Sequence, residues 1–165
     1  MNTFKICLVG PARSGKTTYI YKLLNATMPE EYTPTLGVDV HPIRVVYDGL
    51  EARVDRSIEG KKICFNVWDC SGSFPGLREG YYMQAQGAIV MVESIEGDIE
   101  KHNLNVCIEE LKQYSGNEGI KIVMVVSKSD VGLDEWIGGY RVYRMNCLTN
   151  MGLMEPLTYL AGELA

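Results

Sequence analysis

The octapeptide GPARSGKT at residues 10–17 constrains this chain more than any other stretch. It follows the pattern glycine, four residues, glycine, lysine, then serine or threonine. It stands between an apolar run, FKICLVG (4–10), and a segment of helical spacing, KTTYIYKLLN (16–25). A strand, a glycine loop and a helix start, in that order, set a row of backbone N–H groups at the positive end of a helix dipole, which is a cradle for phosphate oxygens. With ordinary glycine usage the bare pattern arises by chance in well under about 1% of chains of this size, and the flanking elements make it rarer. The backbone from Gly10 through Arg13 and Ser14 to Gly15 is therefore expected to wrap the α- and β-phosphates of a nucleotide. Lys16 is expected to reach the β- and γ-phosphates, with Thr18 beside the site and the Thr17 hydroxyl a hard oxygen ligand for Mg²⁺.

The rest of the chain alternates apolar runs with helical stretches. VDVHPIRVVY (38–47), KKICFNVW (61–68), GAIVMVE (87–93), IKIVMVVS (120–127) and YRVYRMN (140–146) read as strands. IEKHNLNVCIEELKQY (99–114) and LMEPLTYLAGEL (153–164) read as helices. Strands apolar on both faces and separated by helices belong to a parallel sheet covered on both sides. The expectation is one three-layer α/β domain spanning residues 1–165, with a mostly parallel six-stranded sheet and one antiparallel edge strand. Pro42 marks that edge strand, because proline cannot donate to a central ladder. DGLEARVDRSIEG (48–60) opens with an Asp-Gly turn and alternates at Leu50, Ala52 and Val54, which predicts an extended hairpin. VGLDEWIGG (131–139) is too short for a full crossover helix, so a shortened one is expected, with one flank covered thinly by Leu133 and Trp136.

Further polar residues fall where such sheets hold ligands, at strand carboxyl ends. Asp69 follows the 61–68 strand, where a carboxylate acts on Mg²⁺ through a bound water, and Gly72 offers an N–H to a γ-phosphate. Thr35, in the loop YTPTLG (32–37), would complete the magnesium shell only when a γ-phosphate is present. In SKSD (127–130), Asp130 can accept from the N1–H and amino group of guanine, and the stem of Lys128 can cover the base. Adenine would set an acceptor against that carboxylate, at a cost of about 1–3 kcal/mol.

Composition removes several alternatives. Sixteen basic against 21 acidic residues leave no basic patch for nucleic acid. No run approaches the roughly 18–20 apolar residues of a membrane helix. The C-terminus AGELA has no prenylation cysteine and Asn2 stands where myristoylation needs glycine, so no direct membrane anchor is expected. The five cysteines show no paired metal-ligand spacing, and Cys7 and Cys64 sit in runs that read as buried strands. An odd count with no secretory signal fits a reducing, intracellular compartment. His41 and His102 have no partner at readable spacing.

At these residues the chain resembles the small GTPases, and among them the Ran type. The stretches that carry the resemblance are TLGVDVHPI (35–43), FNVWD (65–69), GLREGYYMQAQGAIVM (76–91) and, more loosely, VYRMNCLTNMGLMEPLTYLAGEL (142–164). The resemblance implies a monomeric molecular switch that binds GTP or GDP with Mg²⁺. It also implies nuclear transport receptors and the exchange or activating factors of the Ran system as partners, in cytoplasm or nucleus. The shortened outline would suit a virus or parasite borrowing a host pathway.

Departures from the family pattern are as informative. Ala12 replaces a phosphate-loop glycine, and Ser73, followed by Phe74, stands where the family's water-orienting glutamine would be. Loss of one positioned hydrogen bond slows such a step roughly 10²- to 10³-fold, so impaired GTP hydrolysis is expected. Ser127 replaces the asparagine that ties the base edge to the phosphate loop, which should weaken affinity. The family's closing Ser-Ala-Lys aligns with Asn146, Cys147 and Leu148, where the Cys147 N–H could still donate to the guanine carbonyl and Leu148 could pack on the ring. Two other readings share these residues: a competent GTPase that takes its water-positioning residue from a partner, and a nucleotide-weak interaction module that binds transport factors.

Overall fold

The two flanks of the glycine loop form as their apolar spacing requires, β1 over Asn2–Val9 and α1 over Lys16–Thr27. They belong to a computed structural model that describes residues 2–11, 14–27, 40–54, 59–70, 78–127 and 135–165. The remaining strands are β2 (Val40–Tyr47), β3 (Ala52–Arg53), β4 (Lys61–Asp69), β5 (Gly87–Val92), β6 (Lys121–Val126), β7 (Glu135–Ile137) and β8 (Tyr140–Arg144). The remaining helices are α2 (Arg78–Tyr82), α3 (Asp98–Ser115) and α4 (Glu155–Leu164).

Among the described residues the strands form one sheet of eight, in the order β3-β2-β4-β1-β5-β6-β8-β7. The pairs β4–β1, β1–β5, β5–β6 and β6–β8 are parallel, while β2–β4, β2–β3 and β7–β8 are antiparallel. The expected six-stranded sheet with one antiparallel edge is thus corrected to eight strands with antiparallel pairing at both margins. The expected six are all present, and the two additions are short strands that fold back on their neighbours.

Each addition has a local cause. Residues 48–54 of the 48–60 segment do not lengthen the hairpin between β2 and β4; the Asp-Gly turn opens a hairpin on the other side of β2, where Ala52–Arg53 pair with Tyr47 and Val46. Asp48 Oδ1 closes the turn by accepting from the N–H groups of Leu50 (2.8 Å) and Glu51 (2.9 Å). Those two bonds hold the Asp48 carboxyl below its ordinary pKa. Ala52 is then buried, and its N–H donates to Thr158 Oγ1 on α4 at 3.0 Å. At the other margin, Gly138 and Gly139 both take positive φ (58° and 86°), the backbone a tight two-residue hairpin turn needs. That turn folds β7 onto β8, so residues 135–139 of the short connection form a strand and a turn rather than a helix. Trp136 there is 58% exposed, with its ring edge-on to Tyr159 at 6.2 Å; Leu133 lies outside the described residues. Pro42 pairs with Asn66 of β4 on one side of β2, beyond the reach of two-residue β3 on the other, so its missing N–H costs the ladder nothing.

Alternation along β1 builds two apolar layers. Ile6 and Leu8 join Tyr19 and Leu23 of α1 and Leu157 of α4, while Cys7 and Val9 join Leu104 and Ile108 of α3. Tyr19 is wholly buried, and its hydroxyl donates to Leu153 O at 2.9 Å, satisfying the one polar atom it carries inward. Cys7, Cys64 and Cys70 are buried thiols and all five cysteines are free. No described helix is long and apolar enough to cross a membrane.

If Thr158 pins β3 to α4, Thr158→Val should cost about 1 kcal/mol in chemical denaturation and speed amide exchange at Ala52. Unchanged exchange at Ala52 would show that the margin strand is held by something else.

Candidate phosphate-loop site

The parallel ladder decides what meets at the carboxyl edge. In register, Leu8 of β1 pairs with Asp69 of β4, and Val9 with Val90 of β5. Cys70 N–H bonds Leu8 O at 3.0 Å, Ser127 N–H bonds Val92 O at 2.8 Å, and Met145 N–H bonds Val126 O at 2.9 Å. The ends of β4, β1, β5, β6 and β8 are thereby stepped into one line: Asp69 closes β4, Gly10 and Ser127 follow β1 and β6 directly, and Asn146 is the second residue after β8.

Gly10 is the point at which the chain leaves the sheet. Its φ is 155°, and a Cβ there would lie 2.0 Å from Met91 O, so only glycine fits. Gly15 has φ 97°, again a backbone that other residues rarely adopt, and from its carbonyl the first turn of α1 begins with Tyr19 N–H donating at 2.9 Å. Lys16 folds back over the loop, its ammonium donating to Gly10 O (2.7 Å) and Pro11 O (3.0 Å). Burial lowers its pKa, against the opposing field of the Asp69 carboxylate and, more weakly, of Cys70 and Cys107. Thr17 and Thr18 are exposed at the start of α1, where the helix leaves N–H groups without intrahelical acceptors.

Ser127 does more than its sequence suggests. It is 4% exposed, and its hydroxyl donates to the Ser14 carbonyl at 2.5 Å, with Val92 O 3.3 Å away. The end of β6 is therefore fastened to the glycine loop by a serine, through a bond the sequence led us to expect lost. Ser14 itself is 1% exposed, and its own hydroxyl has no partner among the described residues. Beyond β8, Asn146 Oδ1 accepts from the Leu148 N–H at 2.9 Å, Cys147 packs against the α1–α4 layer, and the Leu148 side chain is 89% exposed.

The structure thus brings together Gly10, Ser14, Gly15, Lys16, Thr17, Thr18, Asp69 and Ser127, with Cys147 and Leu148 at the next strand end. Arg13, Ala12, Thr35, Gly72, Ser73, Lys128 and Asp130 lie outside the described residues. The set suits a polyphosphate with a hard divalent ion: positive helix end, ammonium, glycine backbone, a spare buried hydroxyl, and oxygen donors in Thr17 and Asp69.

On the α3 side of the same edge lies a cavity of about 530 Å³, with Gly10 and Pro11 at one end and Cys70, Glu100, Cys107 and Glu110 among its walls. A smaller cavity of about 330 Å³ adjoins it through Glu93 and Ser94 and reaches Glu96 and Arg144. Gly10 and Pro11, whose carbonyls accept from Lys16, belong to its lining, so the larger cavity opens directly onto the phosphate loop. Sequence reading passed over it, although residues 100, 103, 107 and 110 recur at helical three- and four-residue steps along α3.

Among known protein families, the one described as Ras of Complex, Roc, domain of DAPkinase matches residues 5–130, more than three quarters of the chain.

Removing the serine tie should be felt at both ends of it. Ser127→Ala leaves a buried carbonyl without its donor and should cost about 1–3 kcal/mol of stability, while Ser127→Thr, which keeps the hydroxyl, loses less. Equal denaturation midpoints for Ala and Thr would contradict the tie.

Proposed function

The chain belongs to the Roc, or Ras of Complex, family, and from that premise we propose that it is a guanine-nucleotide-binding switch with slow GTP hydrolysis. The observation that carries the reading is the bond from Ser127 to the Ser14 carbonyl. It joins the strand end that leads into the guanine-reading residues to the loop that wraps phosphate, so base and phosphate recognition share one rigid frame.

In this reading the loop from Gly10 to Gly15 and Lys16 bind the phosphates. Thr17 and Thr35 would hold Mg²⁺, Asp69 would act on it through a bound water, and Gly72 would offer its N–H to the terminal phosphate. Lys128 and Asp130 select guanine, and Cys147 and Leu148 close the base side. Bound Mg²⁺ supplies charge neutralisation for the phosphate oxygens. Completion of the magnesium shell by the Thr35 hydroxyl only when a terminal phosphate is bound would be the switch step. Ser73 is too short to hold an attacking water as a glutamine does, and a methyl group at Ala12, where the family pattern has glycine, would crowd the same region. The protein therefore persists in its triphosphate form. The Ran-like stretches at 35–43, 65–69 and 76–91 support nuclear transport factors as the partners that read that form.

Nucleotide released from the purified protein should be guanine nucleotide by mass spectrometry. In single-turnover assays, Ala12→Gly with Ser73→Gln should hydrolyse bound GTP roughly 10²- to 10³-fold faster than the natural chain. A restored variant no faster than the natural chain would sink the slow-hydrolysis reading, and adenine nucleotide in the released fraction would sink the guanine reading.

A further inference from the structure

We propose that the outer edge of β7 is a docking site for an extended acidic segment of a partner protein, which adds to the sheet as a further strand and sets a carboxylate on Arg141. β7 ends the sheet, and no described strand lies beyond it. The two-residue turn at Gly138 and Gly139 makes Ile137 and Tyr140 the hydrogen-bonded pair of the hairpin, so the next pair, Trp136 with Arg141, is a non-bonded one. The N–H and C=O of Trp136 therefore point away from β8, a donor and an acceptor set out for one more strand.

The side chains above that edge add a recognition patch on the α4 side. The exposed Trp136 indole meets Tyr159, which in turn stands 6.5 Å from Tyr143. The Arg141 guanidinium lies over two of these rings, 5.4 Å from the centre of Trp136 and 4.8 Å from that of Tyr143. Its described contacts are with rings, and no described carboxylate pairs with it. A guanidinium held against aromatic faces keeps its N–H edge for a planar acid and is already fixed in place for it. Tryptophan, tyrosine and arginine are also the residues on which interfaces most often concentrate their binding energy.

Charge selects the occupant. A second copy of this chain would bring Trp136 and Arg141 against Trp136 and Arg141, with cation facing cation. A phosphate backbone is held by several cations in a row, and here Arg141 stands with Lys121, which is already engaged by Glu163 at 3.9 Å. An acidic peptide needs one cation: its backbone meets Trp136, and a carboxylate on the shared face reaches across the indole to Arg141. β5, β6 and β8 separate this edge from β1, so its occupancy does not require a filled phosphate loop.

A short acetylated and amidated peptide of alternating threonine and glutamate, which puts every glutamate on one face, tests the proposal when titrated at low salt into the isotope-labelled full chain. It should shift the amide and indole resonances of Trp136, leave the Trp68 indole in place, and bind at least about tenfold more tightly than the threonine–glutamine peptide. Arg141→Gln should remove that difference. N-methylation of the central glutamates, which takes away ladder donors and keeps the charge, should weaken binding at least about tenfold. No binding, equal affinity for the two peptides, an affinity untouched by Arg141→Gln or by N-methylation, or shifts that miss Trp136 would each overturn the proposal. So would an oligothymidylate that binds more tightly than the acidic peptide, or Trp136 resonances that move with protein concentration alone, since these assign the edge to nucleic acid or to a second copy.

Discussion

The space above Gly10 decides the rest of the site. With the Met91 carbonyl where a Cβ would stand, the chain can leave β1 only through a glycine, while β5 still runs alongside. That close approach places the loop at the sheet edge rather than above one face, and α1 then starts from Gly15 with its N-terminus toward the loop. Lys16 has the Gly10 and Pro11 carbonyls within reach because of the same bend. Asp69 lies beside the loop because β1 and β4 are paired in parallel with Leu8 opposite it.

Different side chains stand on the two sides of the edge. On the α1 side stand a helix N-terminus, an ammonium and hydroxyls; on the α3 side stand Glu93, Glu100 and Glu110 around an apolar floor. The sheet between them is apolar on both faces, so each half is backed by its own packed layer. A chain of net charge −5 can still attract a polyphosphate, since what counts is the local field of backbone N–H groups and Lys16.

Much of this was legible in the residues. The apolar runs foretold the six long strands, and the three-to-four spacing foretold α1, α3 and α4, because burial on both faces of a sheet leaves a strong pattern. β3 was legible only as part of a hairpin opened by the Asp-Gly turn, not as an outer strand on the far side of β2, and β7 was not legible as a strand, since a three-residue pairing carries no periodicity. β3 depends on a bond between Ala52 and Thr158, 106 residues apart. β7 follows from the Gly138–Gly139 turn, which was read only as part of a short connection. At the site, the motif located the loop and Asp69 but not the serine tie: an asparagine changed to serine reads as a loss until the Ser14 carbonyl is seen 2.5 Å from the hydroxyl. The acidic cavity was missed because each of its glutamates, taken singly, reads as solvated surface.

The central claim is that this edge holds a guanine nucleotide by its phosphates and its base together. Calorimetric titration of nucleotide-free protein with GDP, and separately with ADP, in the presence of Mg²⁺ tests it most directly. The account requires a clear heat of binding for GDP and at least about tenfold weaker binding for ADP, the discrimination expected when an acceptor faces an acceptor. Equal heats and affinities for the two, or none for GDP at millimolar concentration, would contradict it.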